Sequence, residues 1–131
     1  RNFDLVICGN CSLVMIDQRP DGETLFEMAQ EYVDHTYLKN TKARYRTYEK
    51  SLEKLDKVYP PEKGTTYLDL SCYYGLFVDT LIRCGRKASG IDICSNIVEE
   101  GNRRIGARHL YSARVADWSS KFLQKQALFM L

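Results

Sequence analysis

The chain has 131 residues, of which 44% are hydrophobic and 27% are charged, and its net charge is +2. This length suits one compact domain with a small appendage, and the composition excludes a disordered tail, a collagen-like repeat and a membrane span, which would need about 18 consecutive apolar residues. Because the densest basic stretch, residues 39–57, is interleaved with acidic residues, the charge pattern also disfavours nucleic acid and membrane surfaces as partners.

Residues 1–20 are predicted to form a small cysteine knuckle. Two short apolar runs, residues 3–7 and 13–16, flank the turn-rich tetrad from Cys8 to Cys11, which is typical of a hairpin. A structural zinc needs four ligands, usually two such pairs, so Cys8 and Cys11 would hold zinc only if an upstream cysteine pair completes the site in the full-length protein. The five cysteines of the chain show no disulfide-framework spacing, which indicates free thiols in a reducing, cytoplasmic compartment.

Residues 21–63 are predicted to contain two helices. From Glu23 onward apolar side chains recur at helical spacing, and Asp21 is placed to cap this first helix. The second helix covers about residues 41–58 and ends before two prolines. One face of it carries a stripe of Tyr45, Tyr48, Leu52, Leu55 and Tyr59. We interpret this stripe as a packing surface rather than as a platform on which bases stack.

Residues 64–131 show strands alternating with helices. Strands are predicted at residues 66–70, 88–93, 109–112 and 127–131, and helices at 76–84 and 95–105, with Ser95 as the cap of the second. Such alternation implies parallel strands with right-handed crossovers. We therefore expect an α/β fold, a partial Rossmann-like, doubly wound parallel sheet, preceded by the knuckle and two helices. Because the chain starts at Arg1 and stops within an apolar run, we expect it to be an internal piece of a longer protein.

The turn after the first strand of this sheet carries the candidate chemistry. Residues 67–77 are predicted to run from a strand through small and polar residues into a helix, at the edge where doubly wound sheets bind ligands. Asp92 lies near the end of the second strand, where a carboxylate can accept hydrogen bonds from both hydroxyls of a ribose. After the third strand, Asp117 can accept a hydrogen bond from an adenine amino group, and Trp118 can cover the face of a purine.

Residues 68–75 resemble the first motif of class I S-adenosylmethionine-dependent methyltransferases, whose pattern is apolar, acidic, apolar, Gly, x, Gly, x, Gly. Asp69 matches the acidic position and Gly75 matches the last glycine, whereas Ser71 and Tyr73 stand at the first two glycine positions. Glycine in such a turn permits unusual backbone angles and leaves room for a ligand. The two replacements therefore put the approach of a cofactor to this turn in question.

The resemblance extends over residues 3–117 and implies a set of cofactor-binding residues, but no catalytic base. The knuckle and the two helices are similar to the front end of a bacterial subgroup whose members often act on sugars, lipids or other small metabolites. Asp69 and Ser71 would bind the amino-acid end of the cofactor, Asp92 the ribose, and Asp117 with Trp118 the adenine. The full implied set is Asp69, Ser71, Cys72, Tyr73, Gly75, Asp92, Ile93, Asp117 and Trp118.

The function implied by the resemblance is transfer of a methyl group from S-adenosylmethionine to a small-molecule acceptor. Two alternatives stay open. The first is a degenerate, non-catalytic binding or structural domain, whose turn no longer admits the cofactor because Tyr73 stands in it. Separately, Asp69 could only cap the turn, and Asp92 could only cap the next helix. The second is an NAD-binding oxidoreductase, which is disfavoured because two fingerprint glycines are missing and Asp69 would repel a diphosphate, whereas the sulfonium and ammonium groups of S-adenosylmethionine suit a carboxylate.

Overall fold

The structure of the protein, a computed structural model, describes residues 4–17, 20–31, 36–115 and 127–129. Within these ranges an antiparallel hairpin is followed by two helices and a four-stranded parallel sheet with two further helices. The strands are β1 (Leu5–Ile7), β2 (Val14–Ile16), β3 (Thr66–Leu70), β4 (Lys87–Asp92), β5 (Leu110–Ser112) and β6 (Ala127–Phe129). The helices are α1 (Gly22–Glu31), α2 (Thr41–Val58), α3 (Leu76–Arg83) and α4 (Ser95–Ile105), with a 3₁₀ turn at Tyr37–Asn40 before α2.

The large sheet has the strand order β5-β4-β3-β6, and all its neighbours are parallel. The chain moves from β3 outward through β4 to β5 and then returns to the other side of β3 at β6. The strand order therefore reverses between β3 and β6, so the carboxyl end of β3 borders the point where open α/β sheets bind ligands. The predicted α/β fold with a Rossmann-like parallel sheet is confirmed. No helix among the described residues is long and apolar enough to cross a membrane.

The core lies on both faces of β3. Successive side chains of a strand point to opposite faces, and Tyr67 packs in one cluster with α3, while Leu68 and Leu70 pack with Ile91 of β4 in another. These three side chains of β3 are all buried, as expected for a strand covered on both sides. The apolar residues of β3 therefore match its interior position in the sheet.

Helix α2 packs against α3 through the predicted stripe, with one exception. Leu52 is buried in the core, and the centre of the Tyr48 ring lies 5.4 Å from the centre of the Phe77 ring. Tyr59 was expected to extend the stripe, but it is 72% exposed because α2 ends at Val58 and Tyr59 has left the helical conformation. The proline that follows disfavours the helical conformation at the residue before it, so the stripe ends one turn earlier than its spacing suggests.

Asn102 of α4 fixes the start of β5. Its Oδ1 accepts hydrogen bonds from the backbone N–H groups of His109 and Leu110, each at 2.9 Å, and its Nδ2 donates to the Leu110 carbonyl at 2.9 Å. One side chain thus satisfies three backbone groups where the chain turns from α4 into the strand. This explains how a strand of only three residues is held at the edge of the sheet.

We expect Asn102→Ala to lower the free energy of unfolding by about 2 kcal/mol, because it removes three hydrogen bonds from partly buried backbone groups. Chemical denaturation of the variant and the parent protein measures this difference. Asn96→Ala is the matched control, since Asn96 is exposed on the same helix, and it should change the free energy by less than about 0.5 kcal/mol. Equal effects of the two substitutions would contradict the role assigned to Asn102.

Candidate ligand-binding site

The turn between β3 and α3, residues 71–75, has an unusual backbone. The φ angles of Ser71, Tyr73 and Gly75 are 61°, 52° and 70°. This left-handed region is open to glycine, whereas other residues enter it at a cost of about 1–2 kcal/mol. These are the same three positions at which the methyltransferase motif has glycines. The turn therefore keeps a glycine-like backbone path although two of its glycines are replaced.

The turn also packs tightly on the strand beside it. The Cys72 N–H donates to the Ile91 carbonyl at 3.0 Å, and a Cβ added to Gly90 would lie 2.6 Å from the Cys72 Cβ. Cys72 and Gly75 are buried, and burial raises the pKa of the Cys72 thiol. Both residues were predicted to bind a cofactor, but neither lines the cleft described below. Their observed contacts hold the turn in place.

Asp92 holds the turn from the end of β4. Its Oδ2 accepts a hydrogen bond from the Tyr73 N–H at 2.8 Å, and its Oδ1 accepts one from the Cys94 N–H at 3.0 Å. An ionised carboxylate has about four acceptor positions, so each oxygen keeps one position for a ligand donor. Bracing the turn and binding ribose hydroxyls are therefore compatible roles for this side chain.

The start of α4 corrects one sequence prediction. Ser95 was expected to cap this helix, but it is the first helical residue, and the N-cap residue is Cys94, which makes no side-chain capping bond. Instead, the Asp92 carboxylate binds the backbone of Cys94 and shapes the loop before the helix. Aspartate can bond its own backbone two residues further on, and this local turn displaces the expected serine cap.

A cleft of about 300 Å³ lies at the carboxyl ends of β3 and β4. Its described lining residues come from the turn, from the loop after β4, from α4 and from α1. They are Ala29, Ser71, Tyr73, Asp92, Ile93, Cys94 and Ile97. Four of the residues predicted from the sequence, Ser71, Tyr73, Asp92 and Ile93, are thus brought together at one concave surface.

Helix α1 forms one wall of the cleft, which sequence reasoning missed. The side-chain amide of Gln30 donates to the Ile93 carbonyl, and its Oε1 accepts from the Ser95 N–H at 3.4 Å. The Cys94 Sγ lies 3.6 Å from the Gln30 carbonyl, to which it donates. These contacts join residues more than 60 positions apart, so no local pattern in the sequence could have revealed them.

A second cavity, of about 250 Å³, shares Ile93 with the cleft. Its other described lining residues are Gly22, Leu25, Phe26 and Arg114. The Arg114 guanidinium lies 4.1 Å from the centre of the Phe26 ring, a distance typical of a cation–π contact. This second cavity therefore lies beside α1 and the segment after β5. Asp117 and Trp118, which were predicted to bind adenine, lie outside the described residues.

Asp69 is buried near the turn. It is only 6% exposed, and among the described residues no hydrogen bond reaches its carboxyl group, so it does not cap the turn. Burial, and secondly the negative charge of Asp92, raise the pKa of Asp69 to about 7. A buried carboxylate without a partner is destabilised unless a positive charge approaches it. Asp69 was predicted to bind a cofactor, but it is not among the described residues that line the cleft.

The cysteine knuckle forms the predicted hairpin. The Cys8 N–H donates to the Leu13 carbonyl at 2.8 Å, and the Ser12 N–H donates to the Cys8 carbonyl at 2.9 Å. Hydrogen bonds from the backbone of Asn10 and Cys11 lower the pKa of the Cys8 thiol. In the part of the chain that the structure describes, no three His, Cys, Asp or Glu side chains lie close enough to hold a metal ion. Cys8 and Cys11 therefore do not form a zinc site with other described residues.

No family model and no curated protein matches the sequence. Solved structures resemble part of it. YjhP from E. coli shares 27% identity over 53% of this chain, with a TM-score of 0.43. A SAM-dependent methyltransferase from Archaeoglobus fulgidus shares 23% identity over 62%, with a TM-score of 0.39, and the methyltransferase domain of a bacterial CtHen1-CN shares 14% over 72%, with a TM-score of 0.38.

This chain spans only part of those structures, covering 31%, 35% and 41% of their lengths. Two of the three are described as methyltransferases. At these TM-scores the likeness by itself does not establish a common function.

Proposed function

We propose that the cleft binds S-adenosylmethionine and that the chain is the cofactor-binding part of a methyltransferase. The observation that carries this proposal is the backbone of the turn. Ser71, Tyr73 and Gly75 are all left-handed, at the three glycine positions of the motif that the sequence resembles. A turn that keeps a costly conformation in the absence of two glycines suggests a functional constraint at this position.

The charges and donors of the site fit this cofactor. S-adenosylmethionine carries a sulfonium and an ammonium group, and the buried carboxyl group of Asp69 would be stabilised by a positive charge nearby. Its ribose has two hydroxyl donors, and Asp92 keeps one acceptor position on each oxygen. Ile93 and Ile97 add apolar surface to the cleft, against which the nucleoside can pack.

When bound, S-adenosylmethionine would supply a methyl group made electrophilic by the positive sulfur. The role of this chain is then to bind and orient, because holding two reactants in line provides much of the acceleration in such a transfer. Asp92 would fix the ribose, and Ser71 would contact the amino-acid end. We assign no catalytic base. From the resemblance of the sequence, we propose a sugar, a lipid or another small metabolite as the acceptor and a cytoplasmic location.

Calorimetric titration with S-adenosylmethionine and with its demethylated product, S-adenosylhomocysteine, tests the proposal. We expect saturable binding of both compounds and no binding of NADH, because the Asp69 charge opposes a diphosphate. Asn96→Ala serves as a control that should leave the affinities unchanged, since Asn96 is exposed and does not line the cleft. Absence of heat and of a thermal shift at millimolar ligand would exclude the cofactor role and favour a non-catalytic domain.

A further inference from the structure

Three tyrosine rings form a cluster behind the turn. Tyr37 lies in the 3₁₀ turn before α2, whereas Tyr73 and Tyr74 belong to the turn between β3 and α3. The ring of Tyr73 meets those of Tyr37 and Tyr74 edge to face, with both pairs of ring centres 4.6 Å apart. The rings of Tyr37 and Tyr74 are stacked with centres 5.7 Å apart. Such arrangements are the favourable ones for aromatic pairs.

Tyr37 is itself held by α2. The Arg44 guanidinium lies 3.8 Å from the centre of the Tyr37 ring, and the Arg44 Nε donates to the Tyr37 carbonyl at 3.2 Å. The hydroxyl groups of Tyr37 and Tyr48 share a hydrogen bond of 3.2 Å. The ring of Tyr37 is therefore fixed from its face, from its hydroxyl group and from its backbone, and it presents a rigid surface to Tyr73.

The backbone of Tyr73 needs such support. Its φ of 52° costs about 1–2 kcal/mol for a residue with a side chain, and such conformations persist only where surrounding contacts enforce them. Asp92 holds the Tyr73 N–H at 2.8 Å, and this bond restrains the backbone of the residue. The contacts of the Tyr73 ring with Tyr37 and Tyr74 restrain its side chain.

We propose that Tyr37 is a positioning residue for the cleft. By packing on the ring of Tyr73, it holds residue 73 in its left-handed conformation, which directs the Tyr73 N–H to Asp92 and keeps the carboxylate in place for a ligand. The segment before α2 thereby controls the ligand affinity of a turn that follows it by more than 30 residues. Where ligand affinity is the measured quantity, this inference rests on the proposed function.

A double-mutant cycle with S-adenosylhomocysteine tests the inference. We expect Tyr37→Ala to weaken the affinity at least tenfold in the parent protein and less than twofold in a Tyr73→Gly background, because glycine adopts the left-handed conformation without support. Tyr37→Phe keeps the ring and should stay within twofold of the parent. If Tyr37→Ala does not fold, Tyr37→Leu repeats the test. Equal weakening in the two backgrounds would show that Tyr37 acts independently of residue 73 and would overturn the inference.

A second measurement separates this inference from the proposed function. If S-adenosylhomocysteine does not bind the parent protein, the proposed function fails, but amide hydrogen exchange still reports on the turn. Tyr37→Ala should accelerate exchange of the Tyr73 amide at least tenfold and that of the Cys94 amide, which bonds the other oxygen of Asp92, less than twofold. Unchanged exchange of the Tyr73 amide, or equal acceleration of the two, would overturn the inference.

Discussion

Replacing Asp69 by asparagine should make the protein progressively more stable than the parent as the pH rises from 4 to 8. Folding raises the pKa of this carboxyl group from its ordinary 3.8 to about 7. Between these values the unfolded chain loses the proton and the folded protein keeps it, so the parent loses stability as the pH increases. The difference in the free energy of unfolding between variant and parent should grow by about 4 kcal/mol over this range.

Urea denaturation at a series of pH values measures this change. Asp79→Asn is the matched control, because Asp79 is also a buried carboxyl group but has partners in Arg83, at 2.8 Å, and in the Tyr45 hydroxyl. Asp79→Asn should lower the stability, since it weakens an ion pair and a hydrogen bond. A difference between Asp69→Asn and the parent that does not vary with pH would show that folding does not raise the pKa of Asp69.

The same carboxyl group links ligand binding to pH. If a cationic ligand needs the ionised form of Asp69, its affinity should fall as the pH drops below about 7, where Asp69 gains a proton in the free protein. Asp69 would then lower the stability of the free protein at neutral pH and favour the binding of a cation. Such a trade-off between stability and activity is common at functional sites. A neutral adenosine fragment should not show this dependence.

Replacing Asp92 by alanine should affect both folding and binding. The substitution removes two hydrogen bonds to a charged acceptor, from Tyr73 and from Cys94, which should lower the free energy of unfolding by about 3 kcal/mol. It also removes the acceptor proposed for the ribose, so the affinity for S-adenosylhomocysteine should fall about 10- to 100-fold. Asp92→Asn keeps one oxygen and should give smaller effects.

Denaturation and calorimetry on the same samples separate the two roles of Asp92. Glu99→Ala is a suitable control, because it removes an exposed carboxyl group from α4 that does not line the cleft. This variant should match the parent within about 0.5 kcal/mol of stability. If Asp92→Ala lowers stability but leaves the affinity unchanged, Asp92 only braces the turn.

Local patterns in the sequence predicted most of the elements. The spacing of Leu52 and Leu55 placed α2, and the two prolines set its end, so that the helix covers Thr41–Val58 as expected. Alternation of strands with helices predicted parallel pairing, because parallel strands need a crossover connection. These features depend on residues that are close together in the chain, so the amino-acid sequence reveals them directly.

The parts that could not be predicted depend on contacts between distant residues. The sequence leaves the backbone path of the turn at Ser71 and Tyr73 open, because the loss of two glycines argues against a left-handed conformation there. Contacts with Asp92 and Tyr37 support that conformation of Tyr73. The wall formed by α1 depends on Gln30 reaching the loop after β4. In both cases the deciding contact joins two segments that are far apart in the chain and share no sequence pattern.

Amide chemical shifts in a ¹H–¹⁵N correlation spectrum, recorded while S-adenosylhomocysteine is added, test the central claim most directly. If the cleft binds this ligand, the largest changes should occur at Tyr73, Cys94 and Ile97, which surround Asp92. The chemical shifts of the amides in β1 and β2, which lie in the separate hairpin, should not change. Unchanged shifts at millimolar ligand, or changes confined to residues away from the turn and the loop after β4, would contradict the account.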